Sequence, residues 1–283
     1  MERSLVLGAK GMVGSALMEA LSSRFDVIGL GHDELDITAE RDTFQTVGEI
    51  RPRIVIHAAA YTDVDGCETD PDQAFRVNSQ GTLYVARACR DIGARLVYMS
   101  TDYVFDGKGS RPYTEEDPVN PINVYGRSKL EGERNVQRVL DEFTIVRSQW
   151  LFGERGKSFV TTILNLAGQG KPLNIVRDQI GSPTYVVDVG RAIFRLLENG
   201  SRGIFHVANS SSCSWYDFAL EIVKAAEISG IGVVPIDGPF PGRPAPRPPY
   251  SVLNCQKLTR ETGLTMRPWK EALQEFMRGR GRR

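Results

Sequence analysis

Tyr125 and Lys129 stand four residues apart, and Thr101 precedes them in the chain. Residues four apart on a helix share one face, so a phenol and an ammonium can act on the same substrate atom. A free phenol has a pKa of about 10, too weak an acid for fast proton transfer at neutral pH. A nearby ammonium favours the phenolate and is expected to lower that pKa. The hydroxyl of Thr101 can hydrogen-bond a substrate carbonyl beside the phenol. Such a set gives a proton to an oxygen while a hydride reaches the adjoining carbon. A Tyr-x-x-x-Lys pair also occurs on ordinary helix surfaces, so its meaning depends on its companions.

One companion is Gly8-Ala-Lys-Gly11-Met-Val-Gly14. It lies between a strand at Leu5–Leu7 and a helix from Met12 to Ser23. Glycines there permit a tight turn and let the backbone approach a pyrophosphate, which the helix N-terminus then attracts. A glycine triplet alone could be a structural turn; the strand before it and the helix after it favour a dinucleotide. Ala58-Ala-Ala60 follows a third strand, and small residues there let a flat ligand lie against the backbone. The ribose end leaves two cofactors open. Gly31 or His32 occupies the place where an acid reads a 2′-hydroxyl, Asp33 comes slightly later, and no arginine offers a clamp for a 2′-phosphate. Lys10 is a possible phosphate partner. Both NADPH and NADH fit this pattern.

The elements that must position these residues alternate. Strands are expected at Leu5–Leu7, Val27–Leu30, Ile54–His57, Leu96–Met99 and Thr144–Arg147. Helices are expected at Met12–Ser23, Ala39–Ile50, Asp72–Ile92 and Gly126–Leu140. This spacing implies an α/β fold, a Rossmann-type doubly wound parallel sheet, with a smaller C-terminal α/β substrate-binding domain. Residues 1–150 form the dinucleotide domain, a segment near 185–200 returns to it, and 151–283 are mostly substrate domain. A strand at Ile204–Val207 and helices at Val186–Glu198 and Trp215–Ala226 complete the pattern. The run Pro239–Pro249 is too proline-rich for a helix or a central strand. It reads as a linker or as a loop folded over a ligand, the latter favoured by its arginines.

Lys+Arg and Asp+Glu both number 35, so the formal net charge is zero. That balance argues against nucleic acid or an anionic membrane as partner. The basic stretch Arg278–Arg283 lacks interleaved aromatics and reads as a frayed, solvated tail. Four widely separated cysteines form no Cys-x-x-Cys motif and suit reduced thiols in a cytoplasmic protein. No signal peptide or membrane span is expected.

With these motifs in hand, the sequence resembles the extended short-chain dehydrogenases/reductases through the glycine loop, Ala58–Ala60, Thr101, Tyr125 and Lys129. Within them it is similar to the dTDP-4-dehydrorhamnose reductase family. The segments that carry the likeness are Ala58–Asp65 with Glu68, Val77-Asn78, Ser100–Gly107, Asn123–Lys129, Arg147–Trp150, Asp178–Thr184 and Arg247–Ser251. The resemblance implies reduction of the C4 ketone of dTDP-4-dehydro-L-rhamnose, a dTDP-linked 4-keto-6-deoxy sugar, by NAD(P)H to give dTDP-L-rhamnose. It makes Thr101, Tyr125 and Lys129 catalytic: Tyr125 donates the proton, Lys129 tunes it and holds the nicotinamide ribose, and Thr101 binds the carbonyl. It gives the dinucleotide Gly8, Lys10, Gly11, Met12, Val13, Gly14, Asp36, Ile37, Ala58, Ala59, Ala60, Thr62 and Ser100, besides Tyr125 and Lys129. It lines the sugar pocket with Val64, Asp102, Tyr103 and Trp150, and Arg243 or Arg247 would meet the diphosphate. Phe152 stands where the family usually carries a tyrosine, a departure that bears on sugar recognition. Some members use magnesium between subunits; no His/Asp/Glu cluster with ligand spacing is visible here, and no catalytic metal is expected. A monomer or homodimer is expected. Two other roles share the motifs: a reductase or epimerase of another nucleotide sugar, and a non-catalytic subunit like the regulatory subunit of methionine adenosyltransferase.

Overall fold

The computed structural model describes residues 1–238 and 242–280 of the 283-residue chain. Its central strands are β1 (Glu2–Leu7), β2 (Phe25–Leu30), β3 (Ile54–His57), β4 (Arg95–Thr101), β5 (Phe143–Ser148) and β6 (Gly203–His206). They form one six-stranded sheet in the order β6-β5-β4-β3-β1-β2. Every pairing in it is parallel. Strand order reverses between β1 and β3, and ligands of open α/β sheets bind outside the strand ends at such a reversal.

Both faces of the sheet are apolar, as a covered parallel sheet requires. Val6, Ile54, Ile56, Val97, Met99 and Val146 pack on one face. Leu5, Leu7, Val55, Leu96, Tyr98 and Ile145 pack on the other. Helix α1 (Met12–Leu21) covers the first face with Leu17 and Leu21, and α2 (Glu40–Ile50) covers the second with Val47. The second face also receives α3 (Thr82–Ile92) through Val85 and Cys89, and α4 (Val124–Val139) through Val136.

Beyond residue 150 the chain builds a separate core. Helix α5 (Phe159–Ala167), α7 (Trp215–Ala225) and α8 (Trp269–Arg280) enclose Phe152, Ile163, Phe218 and Phe276. Between them α6 (Val186–Glu198) crosses back and packs Val189, Ile193 and Leu196 into the sheet core beside α1. The return continues through β6, which pairs with β5.

Three expectations change. The helix expected at Asp72–Ile92 is divided into a turn at Pro71–Phe75, a π-helical turn at Arg76–Gly81 and α3. The wider π turn lets Asn78 accept from Tyr61 N at 2.8 Å and donate to Ser128 Oγ at 3.0 Å. Arg278 and Arg280, expected in a frayed tail, belong to α8, and Arg280 lies over the Phe276 ring. Gly281–Arg283 and Pro239–Pro241 lie outside the described residues. Phe152 is fully buried, stacked on Tyr185 at 5.4 Å, so a hydroxyl there would enter the second core and not a sugar pocket. Phe152→Ala should lower stability by about 3–5 kcal/mol, read from the shift in urea midpoint.

Candidate active site

Gly8 ends β1 with φ +80, and its N–H donates to Leu30 O at 2.8 Å. A Cβ on Gly8 would sit 2.7 Å from Ala59 N, so the position suits glycine in both conformation and space. The loop walls a cleft of about 760 Å³ lined by Gly8, Lys10, Gly11, Asp36, Ile37 and Ala58–Ala60. Tyr61, within the Ala58–Asp65 segment, lines it too, as do Leu35, next to Asp36, and Gln73 and Arg76, which lie in no motif. Gly14 opens the buried face of α1, while Met12 and Val13 turn towards the second core and the sheet core. Thr62 is exposed on the loop after β3.

Two cleft residues are less free than the sequence suggests. Lys10 Nζ pairs with Asp33 Oδ2 at 2.6 Å and Glu34 Oε2 at 3.2 Å. The Asp33 hydrogen bond is the main force raising the Lys10 pKa. Asp36 Oδ1 accepts from Thr38 N and Oγ1 at 2.9 and 2.8 Å and closes its own loop. Ile37 packs its side chain against Gly81.

The chemical end lies one strand over. Thr101 ends β4, and Tyr125 is the second residue of α4, whose N-terminus is capped by Asn123 Oδ1 accepting from Gly126 N at 2.7 Å. Glu68 adds a second cap by accepting from Val124 N at 2.7 Å. The Thr101 hydroxyl lies near enough to the Tyr125 phenol to act on its proton affinity. It also donates to Asp102 Oδ1 at 3.0 Å and accepts from Tyr103 N at 3.1 Å. Lys129 is buried; its Nζ donates to Met99 O at 2.6 Å and sits 4.2 Å from the Tyr98 ring centroid.

Here the expected tuning is corrected. Burial raises the Tyr125 phenol well above its ordinary value, Asp102 adds to the rise, and the Thr101 hydroxyl opposes it. Burial drives Lys129 down to about 7, with Glu133 resisting. Lys129 is engaged by Met99 O, and desolvation outweighs the ammonium's pull on the phenol. The free protein therefore holds Tyr125 as the neutral phenol, the form a proton donor needs. Asp102 is pushed up to about 7 by burial, with the Thr101 hydroxyl bond opposing the rise.

The sugar-side candidates converge from both halves. Tyr103 meets Tyr125 edge to face at 5.7 Å. Trp150 has φ +46, an uncommon value for a non-glycine residue, and its indole stacks on Trp215 at 3.5 Å. A Cβ on Gly181 would come 2.4 Å from Trp150 Cε2, so only glycine lets the indole lie there. Val64 opens the helix Val64–Thr69, one residue before Asp65. Arg247, expected at the diphosphate, is bidentate to Asp65 at 2.6 Å on both oxygens. Arg243 is exposed, near enough to Asp65 and Tyr103 to act on both electrostatically. The described part of the proline-rich run is thus folded over the site, and Asn123 Nδ2 holds Pro246 O at 2.8 Å. Ser100, expected at the dinucleotide, turns its hydroxyl instead to Glu133. Among the described residues no His/Cys/Asp/Glu group is placed to hold a metal ion.

A glycine loop at the switch point, with a threonine ending β4 and a tyrosine and a lysine on one face of α4, defines a reductase of the short-chain dehydrogenase type. More narrowly, the chain belongs to the family described as RmlD substrate binding domain, which matches residues 2–280. It is 40% identical to "Spore coat polysaccharide biosynthesis protein SpsK" of Bacillus subtilis (strain 168), covering 99% of this chain and 98% of that one. It is also 40% identical to the "Probable dTDP-4,6-dihydroxy-2-methyloxan-3-one 4-ketoreductase" of Streptomyces antibioticus, covering 96% and 94%. The crystal structure of dTDP-4-dehydrorhamnose reductase from Bacillus anthracis in complex with NADP superposes with a TM-score of 0.95, at 40% identity over 98% of this chain and 99% of that one.

The carboxyl of Asp102 makes a pH prediction. Burial pushes the Asp102 carboxyl up to about 7, well above the usual carboxylate range. The native state then binds the extra proton across that window, so Asp102's share of stability falls as pH rises through it. Asp102→Asn removes this loss. Its stability relative to wild type should improve between about pH 5 and about pH 7, measured by urea unfolding at both.

Proposed function

We propose that the protein reduces the C4 ketone of dTDP-4-dehydro-L-rhamnose to dTDP-L-rhamnose. The observation that carries this reading is Tyr125 and Lys129 on one face of α4 beside Thr101 at the end of β4, with Lys129 Nζ on Met99 O at 2.6 Å. Full-length kinship with a dTDP-4-dehydrorhamnose reductase supplies the substrate class.

NADPH or NADH suits the cleft, because Gly8 and Ala58–Ala60 leave backbone exposed where a pyrophosphate and a flat base can lie. When bound it supplies the hydride. The residues that would hold it are the Gly8–Gly14 loop with Lys10, Asp36, Ile37, Ala58–Ala60, Thr62 and the Ser100 backbone. Thr101 donates to the substrate carbonyl once its hydroxyl leaves Asp102. Tyr125 protonates the oxygen that becomes the C4 hydroxyl. Lys129 stabilises the phenolate left behind and binds the nicotinamide ribose. Trp150, Tyr103, Asp102 and Val64 wall the sugar, and Arg243 and Arg247 face the diphosphate, a match of guanidinium to phosphate. We place the reaction in the cytoplasm, where the unpaired Cys67, Cys89, Cys213 and Cys255 stay reduced.

A second reading is reduction of another 4-keto-6-deoxy sugar nucleotide, favoured by the equal identity to the Streptomyces antibioticus protein. A panel of 4-keto nucleotide sugars separates the two by relative kcat/KM. For the leading reading, purified protein with dTDP-4-dehydro-L-rhamnose should consume the reduced cofactor. Absence of turnover with both NADPH and NADH sinks it. Tyr125→Phe should bind the dinucleotide as wild type does and lose about 10²–10⁴-fold in turnover. A near wild-type rate would remove Tyr125 as the donor. Lys129→Met should damage both turnover and dinucleotide affinity, read by fluorescence titration.

A further inference from the structure

The face of α4 that carries Tyr125 and Lys129 continues one turn on to Glu133. Glu133 and its partner Arg147 are 1% and 3% exposed. Arg147 Nε and Nη2 donate to the carboxylate at 2.9 and 2.7 Å. The Ser100 hydroxyl donates to the same carboxylate. Ser100 and Arg147 are partners in register across β4 and β5. One carboxylate therefore ties two strands to the helix of the proton donor. The strand residues on either side of Ser100 are the two that serve the site: Met99 holds Lys129, and Thr101 meets Tyr125.

A bolt between helix and sheet does not need charge. Apolar residues of similar volume are often as stabilising as a buried ion pair, because the pair must first be stripped of water. The charge of Glu133 has another use in the group it faces. Lys129 meets Glu133 and Tyr125 from its own helix, Tyr98 from β4 and neutral His57 from β3. Of these groups only Glu133 is a carboxylate, ion-paired with Arg147. Arg147 and Ser100 fix its orientation, one helical turn from Lys129.

We infer that Glu133 is the positioning residue of this site, keeping Lys129 cationic and seated on the Met99 carbonyl without touching substrate itself. Its consequence for turnover rests on the reduction proposed above; its effect on Lys129 rests on their one-turn spacing along α4 and on the carboxylate's anchorage to Ser100, next to the Met99 that holds Lys129. Arg147 offsets the carboxylate's desolvation, and Ser100 couples it to the strand that ends in Thr101.

The test follows Lys129 directly in the full chain, free of ligand, by NMR titration of ¹³C-labelled lysine. Glu133→Gln should lower the Lys129 midpoint by about one pH unit or more, since a facing opposite charge has gone. Glu133→Asp should restore it. Ser100→Ala, which keeps the carboxylate, should lower Tm and leave the midpoint in place. If Glu133→Gln folds poorly, the paired replacement Glu133→Met with Arg147→Met removes both charges and should still lower it. An unchanged midpoint in the folded variants overturns the inference. In turnover, the alkaline limb of kcat/KM should move to lower pH with the midpoint. A limb that stays put while the midpoint moves refutes the role in reduction. A lowered midpoint in a chain that turns over no sugar nucleotide upholds the effect of Glu133 on Lys129 and defeats only the substrate assignment.

Discussion

The Lys129 ammonium resting on the Met99 carbonyl is the contact on which this molecule's chemistry depends. It joins the catalytic helix to the middle of the sheet at a point with almost no water. Helix α4 can reach that point because Asn123 and Glu68 close its first turn, and because Gly126 and Gly132 let it press close. A Cβ on Gly126 would lie 2.1 Å from Tyr103 O, and one on Gly132 would lie 2.3 Å from the Tyr98 hydroxyl. Small residues thus bring α4 against β4, and only then do Thr101 and Tyr125 meet.

The same contact constrains the rest of the fold. Strand β4 must be central, since an edge strand would expose Lys129. Strand β6 and helix α6, drawn from the second half of the chain, cover β5 and finish that protection. The second core then approaches from the far side through Trp150, which leaves β5 with a left-handed backbone and stacks on Trp215. The segment after the proline-rich run closes the gap. Ser251 N donates to Ile180 O at 2.9 Å, and Tyr113 N donates to Val252 O at 2.8 Å. A site between two cores is assembled by such crossings and by no single local motif.

This explains what could be read from the residues alone. The strands were legible because both sheet faces are apolar and their β-branched runs stand out. The glycine loop was legible because backbone approach to a phosphate leaves a local trace. Tyr125 and Lys129 were legible because a helix places residues four apart on one face. The Arg247–Asp65 pair was not, since its members are separated by 182 positions. Nor was the pairing of Lys10 with Asp33 and Glu34, because an exposed cation beside a glycine loop looks free until the strand-end loop folds back. The π turn at Arg76–Gly81 escaped notice because its composition still reads as helix. Glu133 continued the very spacing that revealed Lys129, and the pattern could have been followed one turn further.

The largest departure concerns electrostatics, where sequence spacing names the charges and says nothing of the water around them. An ammonium beside a phenol lowers its pKa only as far as burial permits. Here burial acts on both groups in the direction of neutrality, raising Tyr125 and lowering Lys129. A neutral phenol is the right starting state for a donor, because it must keep its proton until an alkoxide, a far stronger base, forms beside it. The phenolate that remains then needs a cation. Lys129, held near the edge of its own titration, is able to supply one only if an anion prevents burial from stripping its proton. Behind that anion, Arg147 holds the carboxylate in place through two hydrogen bonds. The order from Arg147 to Glu133 to Lys129 to Tyr125 is thus an alternation of charge ending on the one group that changes state in the reaction, and each member is explicable only by its neighbour.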